Sequence, residues 1–445
     1  MAIGKSRCLR HGPILCCFEW LLRFEHYQHD MRVLILTQFY PPETALKFAD
    51  LARALRERGH QVQVITGFPC YPYGRIYDGY RQEIYSEETI DGTLVTRVPQ
   101  IPDHSRSIVR RAMYYFSYAL SAATIGLWRA READVILVYQ SAFPIGLAAW
   151  LISRVKRIPY VLDVVDLWPE SVAASGMMRS RIALGLIRSI VKFIYRGATR
   201  INVITEGYWQ NLVRMGVPEE KLSLIHCWPG SGLFDPLPPD SEFAKQEQLE
   251  GRFNVIYAGT IGPVQNLRTV IDAACQLRDL PQVQFIMIGD GVESDELAAV
   301  AKERGAINVR FLGRKTPAEL QKFYPHADAL LVHLKPDPMS SISIPSKTFA
   351  CMAAGRPILM AVEGESALLV KKHKCGLPVQ PSDPLALANA IRAFVKLPTV
   401  EREKMAANSL AAFQNHYRSD RQIDKFEALL LEVVSGRKHA VRHAA

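Results

Sequence analysis

The chain has 445 residues, enough for two or three domains, and its 49% hydrophobic and 22% charged residues are ordinary for a globular protein. This composition excludes a mainly disordered chain, a collagen-like chain and a polytopic membrane protein. The formal charge of +10 favours anionic partners, which could be phosphates, acidic lipid headgroups or nucleic acid.

Residues 1–30 lack the pattern of a secretory signal peptide, because Glu19 interrupts their apolar stretch and no small-residue cleavage site follows. Met31 opens a clean apolar strand, so we interpret residues 1–30 as an N-terminal extension and Met31 as a candidate start of translation. The chain contains no apolar run of roughly 18 residues, and the sequence therefore predicts no membrane-spanning helix.

The first half of the chain alternates short apolar runs with helical patterns. Phe48, Leu51 and Leu55 recur at helical spacing after the first run, and Gly59 is placed to end that helix. Fully apolar strands joined by helices are typical of a parallel sheet that is covered on both faces. The predicted strands of this half are residues 33–36, 61–66, 134–139, 160–165 and 200–204.

The pattern weakens at residues 227–251, which are rich in Pro, Gly and Asp, and we interpret this segment as a linker. A second series of strands follows, and a helix that begins after Pro345 should end near Gly355. The final stretch of the chain is helical and charged. The strands of the second half are predicted at residues 253–258, 283–288, 309–312 and 329–334.

These two series predict an α/β protein with two Rossmann-like, doubly wound domains that face a cleft. The carboxyl ends of both sheets would meet at that cleft, where such folds bind ligands. The predicted boundaries are an extension (1–30), an N-terminal domain (31–226), a linker (227–251), a C-terminal domain (252–395) and a helical tail (396–445).

Two segments of the second half could hold a phosphate group. Gly259 and Gly262 lie in a turn between a strand and a helix, so the backbone amides of Gly259, Thr260 and Gly262 could approach a ligand. A tight turn without a ligand explains the same residues equally well. Ser346 and Lys347 stand at a helix start, where free amides, a hydroxyl and an ammonium would suit a diphosphate. A capped helix with an exposed lysine is the alternative.

Carboxylates and an indole follow one of the first-half strands. Asp163, Asp166 and Glu170 could accept hydrogen bonds from sugar hydroxyls, and Trp168 could stack on a sugar face. Asp166 could also act as a base. The alternative is a helix entry at which Asp166 is the cap and Pro169 fills the first turn. Both interpretations can hold together.

Residues 104–130 combine arginines with aromatic and aliphatic residues at helical spacing. Such a helix can lie on an anionic membrane surface, and an ordinary core helix with a solvated basic end is the alternative. No nucleic-acid-binding module is recognisable, so we predict no nucleic-acid partner. The eight cysteines form no Cys-x-x-Cys pair, which gives no indication of a zinc site, and reduced cysteines are expected.

Several short motifs occur in the order that is found in a known family. They are Phe39-Tyr-Pro-Pro-Glu43, Arg58-Gly-His60, Asp166-Leu-Trp-Pro-Glu170, Ala258-Gly-Thr-Ile-Gly262, Phe311-Leu-Gly-Arg314, Pro345-Ser-Lys347 and Met352-Ala-Ala-Gly-Arg-Pro357. On these motifs the chain resembles glycosyltransferase family 4, the retaining enzymes with the GT-B fold. It most resembles the bacterial subgroup that builds O-antigen, colanic acid and related exopolysaccharides and lipopolysaccharides, over about residues 31–395.

The resemblance implies that the C-terminal domain binds a UDP- or GDP-linked sugar as a co-substrate, with no metal or other cofactor. It implies that the N-terminal domain binds the acceptor, a lipid-linked saccharide, and that transfer retains the anomeric configuration. The protein would then be cytoplasmic and would bind peripherally to the inner face of the plasma membrane.

The residues and the resemblance together predict four groups of site residues and no metal ligand. They are catalytic Asp166 and Lys347; diphosphate-binding Gly259, Thr260, Gly262, Ser346 and Lys347; nucleotide-binding Gly313, Arg314 and Pro345; and acceptor- or sugar-binding Glu43, Asp163, Trp168 and Glu170.

The sequence departs from the family pattern in two places. Many members carry an Arg and a Lys after the first strand of the second domain, where this chain has Thr260 and Gln265 or Asn266. Many also carry two glutamates near the last helix, the second of which binds ribose, where this chain has Ile342 and Ala350. Two alternatives therefore stay open: a sugar-nucleotide 2-epimerase, which shares the two-domain architecture, and a non-catalytic homologue that binds nucleotide sugars.

Overall fold

The protein, described here by a computed structural model, consists of two α/β lobes built on separate sheets. The predicted extension lies almost entirely outside the described residues, and residues 231–234 of the predicted linker also lie outside them. The structure describes residues 30–43, 46–105, 107–174, 176, 178, 180–230 and 235–444.

The N-terminal lobe is built on one sheet. Its strands are β1 (Arg32–Leu36), β2 (Gln61–Gly67), β3 (Ser86–Ile90), β4 (Thr93–Val98), β5 (Val135–Gln140), β6 (Tyr160–Val164), β7 (Arg200–Val203) and β8 (Leu222–Leu224). Within the described chain this sheet has eight strands in the order β3-β4-β2-β1-β5-β6-β7-β8. Neighbouring strands are parallel except in the antiparallel β3–β4 hairpin.

The C-terminal lobe is built on a second, entirely parallel sheet. Its strands are β9 (Phe253–Ala258), β10 (Val283–Ile288), β11 (Val309–Phe311), β12 (Ala329–His333), β13 (Ile358–Ala361) and β14 (Gly376–Pro378). In the part of the chain that the structure describes, their order is β11-β10-β9-β12-β13-β14, the doubly wound Rossmann order. All of the strands predicted in both halves are confirmed to within one residue at each end.

Helices cover both faces of each sheet. They are α1 (Leu46–Glu57), α2 (Ile108–Arg129), α3 (Pro144–Lys156), α4 (Glu170–Ala174), α5 (Arg181–Gly197), α6 (Glu206–Arg214), α7 (Ser241–Gln246), α8 (Arg268–Cys275), α9 (Ser294–Glu303), α10 (Pro317–Phe323), α11 (Pro338–Ser341), α12 (Ser346–Ala353), α13 (Glu365–His373), α14 (Pro384–Lys396), α15 (Thr399–Ala412) and α16 (Ser419–Ala444), with a π-helical turn at Phe413–Tyr417.

Apolar side chains form a core on each face of each sheet, as the fully apolar strands predict. In the N-terminal lobe, α2, α3 and α5 pack on one face, and α1 and α16 pack on the other. In the C-terminal lobe, α12 and α15 pack on one face, and α8, α9 and α14 pack on the other. Because helices cover both faces of each sheet, the loops at the ends of the strands are the places where a ligand can bind.

The last helix, α16, belongs to the C-terminal end of the sequence but packs on the N-terminal lobe. Phe426 is fully buried beside β1, and the Glu427 carboxylate forms a 2.7 Å hydrogen bond with the His60 ring. The chain therefore passes between the lobes twice, near His226 and near Tyr417. The rings of these two residues lie 5.2 Å apart between centroids, so the two crossings are adjacent.

Candidate active site

A cleft of about 750 Å³ lies between the lobes at the carboxyl ends of both sheets. In each sheet the strand order reverses next to the first strand. This happens between β1 and β5 in the N-terminal lobe and between β9 and β12 in the C-terminal lobe. The loops that follow these strands run in opposite directions and leave a crevice between them. Five of the predicted site residues line this cleft: Glu43, Gly259, Thr260, Ser346 and Lys347.

Lys347 lies half-buried in the cleft wall, at the second position of α12. Its Nζ donates a 2.7 Å hydrogen bond to the Tyr257 hydroxyl and lies 4.2 Å from the centre of the Tyr257 ring. Burial lowers the pKa of Lys347 to about 8, and no carboxylate among the described residues pairs with it. An ammonium held in this way has its charge available for an anionic ligand.

Gly259 provides the space that Lys347 occupies. Its backbone has a φ of +145°, and a Cβ atom there would lie 2.6 Å from Lys347 Nζ. The Gly259 N–H donates to the Ile288 carbonyl at 2.9 Å. The amide therefore already has a partner within the sheet, and the binding of a diphosphate at Gly259 stays a prediction.

The remaining amides of the loop divide between the cleft and the interior. Ile261 N–H donates to the Asp290 carbonyl at 3.0 Å, which ties this loop to the one after β10. The amides of Thr260 and Gly262 have no hydrogen-bond partner in the described part of the chain, but Gly262 is buried and does not line the cleft. Thr260 is thus the residue of this loop that lines the cleft and whose amide has no partner among the described residues.

Helix α12 begins at the cleft wall with Ser346 and Lys347. The N–H groups of a first helical turn have no partner within the helix and carry partial positive charge. The helix begins directly after Pro345, as predicted. Ala350, one turn further along, also lines the cleft, so a methyl group stands where many family members have a glutamate.

The other departures from the family pattern lie in different surroundings. Gln265 lines the cleft, whereas the Asn266 side chain donates to the Ser382 hydroxyl at 2.7 Å and is directed away. Ile342 lies at the contact between the lobes, where its carbonyl accepts a 2.7 Å hydrogen bond from the Thr205 hydroxyl. Gln265 is therefore the neutral residue that a donor phosphate would meet.

All three residues predicted to bind the nucleotide, Gly313, Arg314 and Pro345, lie outside the cleft lining. Gly313, with a φ of +68°, accepts the Gly289 N–H through its carbonyl at 2.9 Å. Arg314 is exposed and lies near Tyr77 of the other lobe. Burial raises the pKa of Tyr77, and the positive charge of Arg314 offsets part of that rise. Arg314 thus stands at the rim between the lobes, and its contact with a nucleotide stays a prediction.

The N-terminal wall of the cleft contains Lys47, which sequence reasoning missed. Its Nζ forms a 2.6 Å ion pair with Asp163 and lies over three aromatic rings at 5.1, 5.2 and 5.7 Å. Asp163 is fully buried and also accepts a 2.6 Å hydrogen bond from Asn202. Asp163 thus positions Lys47 in the cleft wall. A contact between Asp163 and a sugar would have to displace these partners, and it stays a prediction.

Glu43 lines the cleft, but its carboxylate is already bonded to the backbone. It accepts N–H groups from Tyr40 at 3.2 Å, Cys70 at 2.9 Å and Tyr71 at 2.8 Å, and burial raises its pKa. Glu43 thus joins the loops that follow β1 and β2. The predicted contact with the acceptor would have to compete with these three bonds.

Asp166 and Trp168 line a second pocket of about 460 Å³ within the N-terminal lobe. The Asp166 side chain is exposed to solvent, yet the protein packed around its carboxylate desolvates it and raises its pKa to about 6. Its charge also raises the pKa of Cys227 and Tyr139, which line the cleft between the lobes. The Asp166 carboxylate is therefore close to both spaces.

Glu170 lies away from the cleft. It forms a 3.2 Å ion pair with Arg188, and the cleft lining does not include it. The predicted contact between Glu170 and a sugar is thus not available from the cleft in this conformation.

Helices α2 and α5 together form an exposed face, named the α2–α5 face, that is apolar and basic. Its exposed apolar residues are Ile108, Val109, Met113, Phe116, Leu120, Ile182 and Leu186. Three arginines in α2 and four basic residues in α5 are accompanied by no Asp or Glu in either helix. Nowhere in the described chain is a helix both long and apolar enough to span a bilayer.

Family models match both lobes of the chain. A model described as "Glycosyl transferase 4-like domain" matches residues 45–228, and one described as "Glycosyl transferases group 1" matches residues 240–411. The chain belongs to the family 4-like glycosyltransferases. This glycosyltransferase is 27% identical over 315 residues to WbjE of Pseudomonas aeruginosa, described as a probable glycosyltransferase, and the match covers 70% of this chain and 77% of the relative.

A second relative and a solved structure agree with this membership. The glycosyltransferase is 25% identical over 389 residues to WcaI of Escherichia coli, whose assigned role is glycosyl transfer in colanic acid biosynthesis; the match covers 84% of this chain and 95% of the relative. The HepE structure from Anabaena, in complex with UDP and glucose, superimposes with a TM-score of 0.67 at 19% identity and covers 91% of this chain and 100% of its own. The predicted GT-B fold is confirmed.

Proposed function

We propose that this glycosyltransferase moves a sugar from a UDP- or GDP-linked donor to a lipid-linked saccharide, in the synthesis of a cell-surface polysaccharide. The observation that carries the proposal is Lys347, at a helix start in a cleft between two Rossmann-like lobes. No carboxylate of the residues that the structure describes pairs with its ammonium. The roles named for WbjE and WcaI and the UDP and glucose bound by HepE support the same class of reaction.

The donor diphosphate would be held by Lys347, the Thr260 amide and the first turn of α12, which starts at Ser346. Negative charge grows on the diphosphate as the bond from its oxygen to the sugar anomeric carbon breaks. Fixed positive groups that are already in position stabilise that charge more in the transition state than in the bound substrate. Lys47, across the cleft, contributes less because its charge is neutralised by Asp163.

The nucleoside would rest on a largely uncharged wall. Because Ala350 and Gln265 replace two charged residues of the family pattern, ribose contacts would come from other groups of the wall. The apolar residues that α10 and the turn after it add to the cleft are Pro317, Leu320 and Tyr324. Apolar and aromatic surface suits a base, with a few polar groups fixing its orientation.

Transfer is proposed to retain the anomeric configuration, with the nucleotide sugar as a co-substrate and no resident cofactor. The acceptor hydroxyl oxygen would bond to the anomeric carbon on the face that the diphosphate leaves. The hydroxyl proton would pass to a phosphate oxygen of the departing nucleotide. Asp166, ionised at neutral pH because its pKa is about 6, would accept a hydrogen bond from the acceptor and orient it.

A panel of nucleotides tests the donor role by thermal unfolding. We expect UDP or GDP, but not both, to raise the unfolding temperature by several degrees, because a ligand at 100 times its Kd adds about 2.7 kcal/mol to stability. Inorganic phosphate at the same concentration is the control. No shift with any nucleotide or nucleotide sugar would contradict the donor site. Conversion of the donor to its 2-epimer without an acceptor would identify an epimerase instead of a transferase.

The enzyme is proposed to work in the cytoplasm, bound to the inner face of the plasma membrane through the α2–α5 face. We expect the double variant Arg110→Glu/Arg181→Glu to bind phosphatidylglycerol vesicles more weakly by at least about 2 kcal/mol, since each basic residue near an anionic surface contributes about 1 kcal/mol. This corresponds to roughly a 30-fold lower partition coefficient in vesicle sedimentation.

The control for the vesicle experiment is Lys302→Glu/Lys322→Glu, which makes the same change in charge at exposed positions of the C-terminal lobe. It should bind vesicles as the wild type does. Equal losses in the two double variants would show that net charge, and not the α2–α5 face, determines binding.

A further inference from the structure

The two lobes contact each other outside the donor cleft, through the first turn of α6 and the segment that leads into α12. The Thr205 hydroxyl donates a 2.7 Å hydrogen bond to the Ile342 carbonyl. The Glu365 carboxylate, at the start of α13, accepts the backbone N–H of Glu206 at 3.2 Å and also that of Gly207. These five residues are named the clasp, and none of them lines the cleft.

Glu365 binds the end of α6 at which a carboxylate is favourable. The first N–H groups of a helix have no partner within the helix and carry partial positive charge, which attracts an anion. Thr205 satisfies one of these groups by accepting the Tyr208 N–H at 3.2 Å. Glu365 satisfies two more from the opposite lobe, so the first turn of α6 is complete only when the lobes are in contact.

Gly207 allows the lobes to come this close. A Cβ atom at this position would lie 2.5 Å from the Ile342 Cβ and 2.6 Å from a carboxylate oxygen of Glu365. The residue lies within α6, and alanine is a better helix former than glycine. An alanine here would therefore suit the helix itself and would conflict only with the other lobe.

The clasp is joined to the segment that leads to Lys347. Within the C-terminal lobe, the Ser366 hydroxyl donates a 3.1 Å hydrogen bond to the Ser343 carbonyl, which ties the start of α13 to this segment. Across the lobes, Met339 and Ile342 pack against the apolar core of the N-terminal lobe. The residues just before α12 are thus fixed both within their own lobe and to the opposite one.

Helix α12 is also held at the place where the chain crosses between the lobes. Phe349 is buried, and its ring centre lies 5.0 Å from that of Tyr417 and 6.1 Å from that of His226. Rotation of the lobes about these crossings would disturb the ring contacts least, because they lie near the axis. The clasp lies away from the axis, so opening of the lobes would separate its partners.

We infer that Glu365 is a positioning residue for the donor: by holding the first turn of α6, it keeps the lobes closed and Lys347 in its place at the cleft wall. Glu365 itself does not touch the donor. Since only the closed form presents both walls of the cleft, the apparent Kd is the intrinsic Kd divided by the closed fraction. The effect on the donor rests on the proposed function, whereas the effect on lobe opening does not.

The test compares Glu365→Ala and Gly207→Ala with the full-length wild type by small-angle X-ray scattering and steady-state transfer. The two variants break the clasp from opposite lobes, so a folding defect in either one is recognised. Without ligand, we expect both to have a larger radius of gyration than the wild type. With the nucleotide sugar identified by thermal unfolding, we expect a KM roughly tenfold higher at unchanged kcat, because saturating donor restores the closed form.

Two further variants serve as references. Glu365→Gln keeps one acceptor oxygen and should fall between Glu365→Ala and the wild type. Glu363→Ala removes the same charge from an exposed residue, whose carboxylate accepts a 2.7 Å hydrogen bond from Gln380 of its own lobe. It should match the wild type in both measurements.

Three other results decide between explanations. An unchanged radius of gyration in both clasp variants would overturn the inference. A lower kcat at unchanged KM would also overturn it, since Glu365 would then act on the chemical step and not on closure. If both variants open while neither they nor the wild type bind UDP or GDP, the clasp stands and the donor part of the proposed function fails.

Discussion

Replacing Lys347 by alanine should lower the turnover of sugar transfer roughly 100- to 1000-fold, the usual loss when one preorganised donor to a developing negative charge is removed. The Nζ atom is held by the Tyr257 hydroxyl at 2.7 Å and has no carboxylate partner among the described residues, so its charge would act on the leaving diphosphate. Steady-state transfer with the nucleotide sugar identified by thermal unfolding measures the change.

The matched control is Lys302→Ala, which removes an exposed lysine from α9 and should leave turnover unchanged. If the purified Lys347→Ala variant turned over as fast as the wild type, the proposal that Lys347 stabilises the leaving diphosphate would be contradicted.

The same residue makes donor binding sensitive to pH. Because burial lowers the pKa of Lys347 to about 8, the ammonium is mostly charged at pH 7 and mostly neutral at pH 9 in the free enzyme. Affinity for a nucleoside diphosphate should therefore fall as the pH rises above 8, by up to tenfold for each pH unit. The Lys347→Ala variant should show a flat profile over this range, and a flat profile in the wild type would contradict the assignment.

Replacing Asp163 by alanine should destabilise the protein by about 3–5 kcal/mol, because it leaves the Lys47 ammonium buried without its partner. The ion pair is 2.6 Å long, and the side chains of Lys47 and Asp163 are only 10% and 0% exposed. Asn202 would also lose the acceptor of its 2.6 Å hydrogen bond. Urea unfolding followed by circular dichroism measures the loss as a lower midpoint.

Asp279→Ala provides the comparison, since it removes the acid of an ion pair with Arg392 in which the Asp279 side chain is 60% exposed. Pairs of this kind contribute less than about 1 kcal/mol. If the two variants have the same urea midpoint, the buried pair of Lys47 and Asp163 contributes no more to stability than an exposed pair does.

Most of the central strands could be predicted because their burial leaves a plain chemical pattern, although β4 and β13 were not predicted despite being almost entirely buried. All six residues of β10 are buried, so the sequence shows an almost unbroken apolar run. The hairpin of β3 and β4 lies at the sheet edge, and β3 alternates half-buried and exposed positions in the polar segment Ser-Glu-Glu-Thr-Ile. A polar edge strand of this type resembles a loop in sequence, and it was missed for that reason.

The candidate site could be predicted only where it depends on local sequence. Lys347 was found because a proline, a helix start and a preceding strand occur within one short segment. Lys47 was missed because its partner Asp163 is 116 positions away, and helical spacing gives no information on that contact. The contact of Asp163 with Asn202 was not predicted because Asn202 comes from β7, and the sequence of one strand does not reveal which strand lies beside it.

The return of α16 to the first lobe determines how the enzyme can move. One crossing near His226 and another near Tyr417 run side by side, and a hydrogen bond of 3.2 Å from the His226 N–H to the Gln422 side chain joins them. Because both connections lie at one edge, we expect the lobes to open by rotation about that edge, and such opening would break the hydrogen bond between Thr205 and Ile342.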